Sequence, residues 1–232
     1  MKINNILIVS AIVLMTFAGN DLLNGQIGSY DYTGESILYL ISPIGRSEYK
    51  DLGLVDLKGR KVNLVTFSTK VLLVKDTEKI YSDPESLLPY RIERTISKLW
   101  SKEYITEEYD QVKFSVIIRK FRGKKLINEQ TIKANGPIQN AVVFPFYLRR
   151  HPDLGIGWQY IVRLPDEFKI ELVSIDEITV PAGKFQAYHF KSFPDKFEIW
   201  INKNTPRVPL KIQGKGVLDY GLLMKKYSFY NE

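Results

Sequence analysis

From Ile27 onward the chain alternates apolar and polar side chains in short runs separated by turn residues. A two-residue period places successive side chains on opposite faces of an extended strand; a helix, with about 3.6 residues per turn, has no use for it. This rhythm predicts strands over Glu35 to Ser42, Leu52 to Leu57, Lys61 to Phe67, Val71 to Tyr81 and Tyr90 to Ile96. Further strands are predicted over Lys113 to Phe121, Lys125 to Lys133, Gly157 to Leu164, Phe168 to Ile175, Lys184 to Ser192, Lys196 to Asn202, Arg207 to Gln213 and Leu218 to Tyr230. Lys58-Gly59-Arg60 and Arg122-Gly123-Lys124 read as hairpin turns, and Asp83-Pro84-Glu85-Ser86 as a turn set by its proline and capped by its aspartate. In Tyr90 to Ile96, Ile92 and Ile96 share a face with Tyr90 and Arg94; in Phe197 to Ile201, Glu198 and Trp200 oppose Phe197, Ile199 and Ile201.

One stretch departs from the rhythm. Pro137 to Arg150 is the best helical candidate, although Pro145 removes a backbone donor and argues against an unbroken helix. Many short strands with one short helical segment define a mainly β fold: a single highly curved antiparallel sheet or open barrel. No internal repeat or linker divides residues 27–232, and all-β units of this length commonly form one domain. The 14 Tyr and 12 Phe suit pleated, half-buried surfaces.

Residues 1–18 read as a signal peptide, with an uncleaved membrane anchor and a buried N-terminal strand or helix as the alternatives. Lys2 carries the one early positive charge, and Ile6 to Ala18 is apolar and uncharged, short for a hydrocarbon core of about 30 Å. Thr16 and Ala18 place the cut after Ala18, with Gly25 as a second site. The chain is therefore expected to be exported, to the periplasm of a Gram-negative-type bacterium. It has no cysteine, which excludes disulfides, thiolate metal sites, thiol nucleophiles and a lipid-modified N-terminal Cys. Net charge is +7, and +6 once Lys2 is removed; the basic residues are interleaved with acidic ones, which argues against a nucleic-acid site and leaves a transient membrane-surface contact open.

Catalytic signatures are sparse. His151, in Arg-Arg-His-Pro-Asp, reads as a solvated loop residue, and His189 as a structurally satisfied strand residue; neither has a metal-ligand neighbour at useful spacing. A serine nucleophile would need one of these two histidines, and no Gly-x-Ser-x-Gly elbow supports it. Glu107-Glu108, Asp166-Glu167 and Asp176-Glu177 are adjacent pairs whose members face opposite ways in a strand, and all read as solvated surface. Gly155-Ile156-Gly157 lacks the rest of a nucleotide fingerprint. No cofactor is expected. The aromatic residues Phe144, Phe146, Tyr147, Trp158 and Tyr160, with Trp200, are the candidate lining of an apolar pocket; ordinary core is the competing reading.

Four motifs in order resemble a family. Tyr81-Ser82-Asp83-Pro84-Glu85-Ser86-Leu87-Leu88-Pro89-Tyr90-Arg91-Ile92-Glu93-Arg94 is followed by Phe146-Tyr147-Leu148-Arg149, then Glu177-Ile178-Thr179-Val180-Pro181-Ala182-Gly183-Lys184-Phe185, then Ile199-Trp200-Ile201-Asn202 leading to Val208-Pro209-Leu210-Lys211-Ile212. Over roughly residues 30–230 the order and spacing are similar to the bacterial domain-of-unknown-function family numbered 3108. Asn204-Thr205-Pro206 departs from that family's acidic-basic turn, and the first strands are less glycine-rich. The resemblance implies a secreted envelope protein without assigned activity, whose β-rich shape is similar to lipoprotein-carrier half-barrels; such an analogy transfers no function by itself. Together these readings lead to an exported, non-catalytic binding module for a lipid or other apolar ligand. The alternatives are an envelope scaffolding protein and a hydrolase whose site only the fold assembles.

Overall fold

The computed structural model describes residues 32–42, 44–215 and 220–229. The predicted signal and both cut sites lie outside the described residues, as do Leu218 and Tyr230 at the ends of the last predicted strand.

Fourteen strands form one antiparallel sheet. They are β1 (Glu35–Ser42), β2 (Arg46–Leu57), β3 (Arg60–Val71), β4 (Val74–Ser82), β5 (Pro89–Lys98), β6 (Ser101–Asp110), β7 (Ser115–Arg122), β8 (Lys125–Lys133), β9 (Gln159–Arg163), β10 (Glu167–Val180), β11 (Gly183–Phe193), β12 (Phe197–Asn202), β13 (Pro209–Gly214) and β14 (Tyr220–Phe229). Their spatial order is β8-β7-β6-β5-β4-β3-β2-β1-β14-β13-β12-β11-β10-β9. All but one of the pairings join strands consecutive in sequence; the exception, β1 with β14, welds the start of the domain to its end. The sheet curls without closing. The Ala182 N–H at the β10–β11 turn donates to the Met224 carbonyl of β14 at 3.1 Å, across the three strands that separate β10 from β14 in the order.

Local chemistry explains much of this. Lys58 and Gly59, at φ 55° and 84°, make the β2–β3 connection, the left-handed geometry that a two-residue hairpin turn requires. Pro209 opens β13, an interior strand, where its missing N–H costs least. Arg94 shares the inner face with Ile92, and Trp200 the outer face with Glu198, as the alternation requires.

Several expectations need correction. β2 begins at Arg46, six residues before the predicted Leu52, and β10 runs to Val180, five past the predicted Ile175. β6 is a full strand that the apolar pattern does not announce, because its sequence SKEYITEEYD carries charge on both faces. The helical segment shrinks to α1 (Phe144–Leu148), one turn in which Pro145 takes an early position needing no N–H partner. Asn140 Oδ1 receives the Val142 N–H at 2.8 Å and starts this turn.

The chain between β8 and β9 has to travel from one free edge of the sheet to the other. It does so as a plug. Residues 134–140 bridge the edges: Gln111 at the β6–β7 turn exchanges two hydrogen bonds with the Ile138 backbone, while Arg163 at the end of β9 donates to Asn135 and accepts from the Gln139 N–H. α1 then sinks into the concave side, where all five of its residues are buried with Ile37, Tyr39, Tyr49, Val65, Ile170 and Phe190 in one continuous core.

Candidate functional site

The predicted aromatic group is brought together, with one exception. Phe146 stacks on Tyr49 at 3.7 Å between centroids, and Tyr147 lies 5.3 Å from Tyr160. Tyr160 stacks on Trp158 at 6.0 Å and Phe144 at 6.3 Å. These rings pack on one another and on Phe190, so the plug fills the space it lines. Trp200 is not among them. Its register neighbours are His189 and Lys211, whereas Ile199 and Ile201 face Phe190 and Tyr188, so Trp200 sits on the opposite side of the sheet.

Polar latches hold the plug. Arg149, just past α1, makes a two-pronged ion pair with Glu35 of β1 at 2.6 Å for each bond, with both side chains essentially inaccessible to solvent. The guanidinium also lies 3.4 Å over the Tyr32 ring and 4.8 Å from Phe146. Burial alone would make such a charge intolerable; the Glu35 carboxylate holds Arg149 well above its usual range, firmly protonated. Asp83 organises the facing loop, accepting from the Glu85 and Ser86 N–H groups, the Ser86 hydroxyl and Tyr90; this turns Leu87 to φ 54° and buries it. Arg150 donates to the Pro84 and Glu85 carbonyls of that loop, and Arg207 to the His151 carbonyl.

His151 is therefore not a solvated loop residue. It is buried against Tyr147, Trp158 and Tyr160, and desolvation pushes its pKa down, keeping the ring neutral. The loop from Asp83 to Leu88 serves as the docking site for the plug.

His189 stands on the outer face with both ring nitrogens engaged, as a satisfied structural residue would be. Nε2 lies 2.8 Å from Glu198, and Nδ1 lies 3.2 Å from Ser174 Oγ and 3.0 Å from Asp176. Trp200 stacks on the imidazole at 4.3 Å, with Lys211 over the indole. The Ser174 hydroxyl donates to Asp176 at 3.0 Å, so the proton a nucleophilic serine would pass to histidine is directed to a carboxylate. Asp176 is thus a partner of His189 and not free surface.

Glu107 needs the same correction. It lies on the inner face beside Arg94, Asp76 and Glu78; burial pushes its carboxyl above the usual range and that of Glu78 to about 7. Tyr109 donates to Glu107 at 2.5 Å, and Arg94 pairs with Asp76. Glu108, on the outer face, pairs with Arg91 and Arg119 and is held below the usual range by Arg119.

Open space lies elsewhere. A cavity of about 340 Å³ opens between the β10–β11 turn, the β12–β13 connection and β14. Ala182, Phe185, Pro206, Val208 and Met224 give it an apolar floor, and Asn202, Tyr227, Lys225 and Lys226 its polar part. The register slips here: Leu38 pairs with Lys226 and Tyr39 with Met224, leaving Lys225 as the extra residue of a bulge. Strict alternation would send adjacent lysines to opposite faces; the bulge lets both reach the rim. None of the predicted lining residues borders this cavity. Only the bulge could have revealed it, and a bulge leaves no mark in an apolar-polar pattern.

An open, curled antiparallel sheet with an internal plug and a small lysine-rimmed cavity is the class of protein these features define. No family model matches the chain, and no curated protein does. Among solved structures, the chain is similar to a β-barrel-like protein of the domain of unknown function DUF1849 from Brucella abortus, with TM-score 0.50 and 11% identity, covering 88% of this chain and 100% of that one. That likeness concerns the fold alone. A provisionally assigned lipoprotein from Parabacteroides distasonis also aligns, at TM-score 0.30 and 8% identity over 84% of this chain and 95% of that one, too low to carry weight.

Proposed function

We propose that this protein is an exported envelope protein that binds, without catalysis, an apolar ligand bearing an anionic head. The cavity beside β14 carries the proposal. Its volume falls within the range of about 300–1,000 Å³ common for small-ligand sites, its floor is apolar, and two lysines stand where a carboxylate or phosphate would emerge. Among the described residues neither Lys225 nor Lys226 is engaged in an ion pair, so both charges are available to a ligand. The predicted leader and the cysteine-free composition support export to a Gram-negative-type periplasm. The four ordered motifs support kinship with the family numbered 3108, whose members share the envelope setting.

A fluorescent polyene fatty acid tests the site directly. Saturable binding is expected, weakened by Ala182→Trp, which fills the cavity from an exposed turn position. Lys225→Glu with Lys226→Glu should weaken the fatty acid more than the corresponding fatty alcohol. Absence of saturable binding, or binding indifferent to Ala182→Trp, overturns the assignment. Cell fractionation with mass spectrometry of the N-terminus tests export separately; an intact Met1 in the cytosol refutes it.

A further inference from the structure

The antiparallel order places the β1–β2, β3–β4, β5–β6 and β7–β8 turns side by side along one margin of the sheet. The first three carry large apolar side chains in water: Ile44, Leu72 with Leu73, and Leu99 with Trp100, the last 91% exposed. Two of these turns are two-residue connections, where glycine, asparagine and aspartate are the favoured residues. The same sheet uses such residues elsewhere, Lys58-Gly59 between β2 and β3 and Gly123-Lys124 between β7 and β8. At the β3–β4 turn, by contrast, Leu72 occupies the left-handed region at φ 51°, a conformation unfavourable to its side chain, while 70% exposed. Neither turn geometry nor core packing asks for leucine there.

Charge surrounds these tips in one sign. Arg46, Lys70, Lys75, Lys98 and Lys102 are all exposed beside them, with Lys124 and Lys125 on the neighbouring hairpin. The acidic residues nearest the tips are already engaged: Glu48 with Lys50, Asp76 with Arg94, Glu103 with Lys120 and Arg122. The tips are also braced. At Gly45 a Cβ would come within 2.8 Å of Val71 Cγ2 and 2.9 Å of the Lys70 carbonyl, so the first two turns touch and present a common edge.

We infer that this margin docks on the surface of an anionic phospholipid bilayer. The leucines and Trp100 enter the headgroup boundary, where an indole is at home, and the ring of lysines and arginines meets the lipid phosphates. An apolar protein patch would satisfy the leucines but not the unbalanced positive rim, and a purely electrostatic partner would not require the leucines. The inference is independent of the ligand cavity, whose rim residues lie on the β10–β11 turn, the β12–β13 connection and β14, outside these turns.

Vesicles of phosphatidylglycerol and phosphatidylethanolamine, compared with pure phosphatidylcholine, provide the test, with the full chain and its variants measured together. Trp100 emission should shift to the blue on the anionic vesicles and be quenched by lipids brominated near the headgroup; both signals should vanish in Trp100→Phe, leaving only those of Trp158 and Trp200. Leu72→Ser with Leu73→Ser should weaken partition about tenfold, and raising salt from ~0.05 to ~0.5 M should weaken it further, since exposed charges are screened over a few ångströms at the higher value. Unchanged circular dichroism would show that these exposed substitutions leave the fold intact. Three results overturn the inference: no anionic-vesicle binding; binding in which Trp100 stays unquenched, as attachment through residues 6–18 alone would give; or a Trp100 shift that follows protein concentration without lipid, which would make the tips a self-association surface.

Discussion

The sheet has two inner surfaces that contrast sharply. Around α1, strands β1 to β3 and β10 to β14 turn Ile37, Tyr39, Val65, Leu172, Phe190, Ile199 and Met224 inward, and the charged groups buried with them are satisfied: Glu35 pairs with Arg149, and Asp51 accepts from Asn63 and the Gly53 N–H. Along β6 to β8 the inward positions include Glu103, Glu107, Lys120 and Gln130, and β8 is exposed along nearly its whole length. Both surfaces come from the same hairpin meander. The difference is that one has a second layer to pack against and the other does not. A β face becomes oily only where something covers it, and here the chain supplies its own cover.

The largest effects belong to the covered side. Glu35→Gln leaves a buried guanidinium with a neutral partner and should cost about 3–5 kcal/mol, while Glu35→Leu with Arg149→Met, which removes both charges, should recover much of it. Phe146→Ala opens a void under Tyr49 and should cost a similar ~3–5 kcal/mol. Ile118→Ala, on the uncovered inner face of β7, should cost under about 1 kcal/mol. Urea unfolding of the four variants measures all of this. Equal losses at Phe146 and Ile118 would show that the two surfaces are packed alike.

An intermediate effect comes from the boundary between them, where Glu78 lies. Its folded pKa is raised from 4.5 to about 7, chiefly by burial, with Asp76 and Glu107 adding to the rise and Arg94 opposing it. The folded state therefore holds this proton more tightly than the unfolded chain. Its stabilisation is fully present below about pH 4.5 and is lost as pH rises through 7, the opposite of an ion-paired carboxylate. Burial raises Glu107 and Asp51 in the same direction. Stability should decline between pH 5 and pH 8 by about 1–3 kcal/mol from Glu78. Glu78→Gln should flatten that part of the profile, and a profile unchanged by the substitution would place Glu78 in solvent.

The legibility of the sequence follows the same division. β1 was readable to the residue because alternation records a face that meets water opposite one that does not; β8, wet on both faces, was readable from the Gly123-Lys124 turn that opens it, and most C-terminal strands were readable to within two residues, although β10 runs five residues past Ile175. β6 was silent because both its faces carry charge. The plug was half readable: Pro145 correctly limits the helix, but nothing in a linear pattern says that Arg149 crosses to Glu35, 114 residues away. His151 was misjudged for a related reason. Arginine, proline and aspartate flank it as they would in a solvated loop, yet those arginines point inward to latch the plug. The cavity rests on a one-residue slip in register, and only pairing reveals such a slip.

The smallest expected effect lies on the outer face of the uncovered wing, where Arg91 and Arg119 share Glu108, and Arg119 also reaches Glu129 at 2.5 Å. As a picture this ladder rivals the Glu35–Arg149 pair; energetically it should not. Its carboxylates are 43–48% exposed, water screens each charge, and ordering the long side chains offsets most of the attraction. Arg119→Ala should therefore lower the unfolding free energy from urea titration by less than about 1 kcal/mol and lose even that in ~0.5 M salt, whereas the Glu35→Gln defect should be indifferent to salt. A large, salt-insensitive loss at Arg119 would mean that the outer face of the wing is covered in solution by a partner, and the contrast between the two surfaces would then belong to the isolated chain alone.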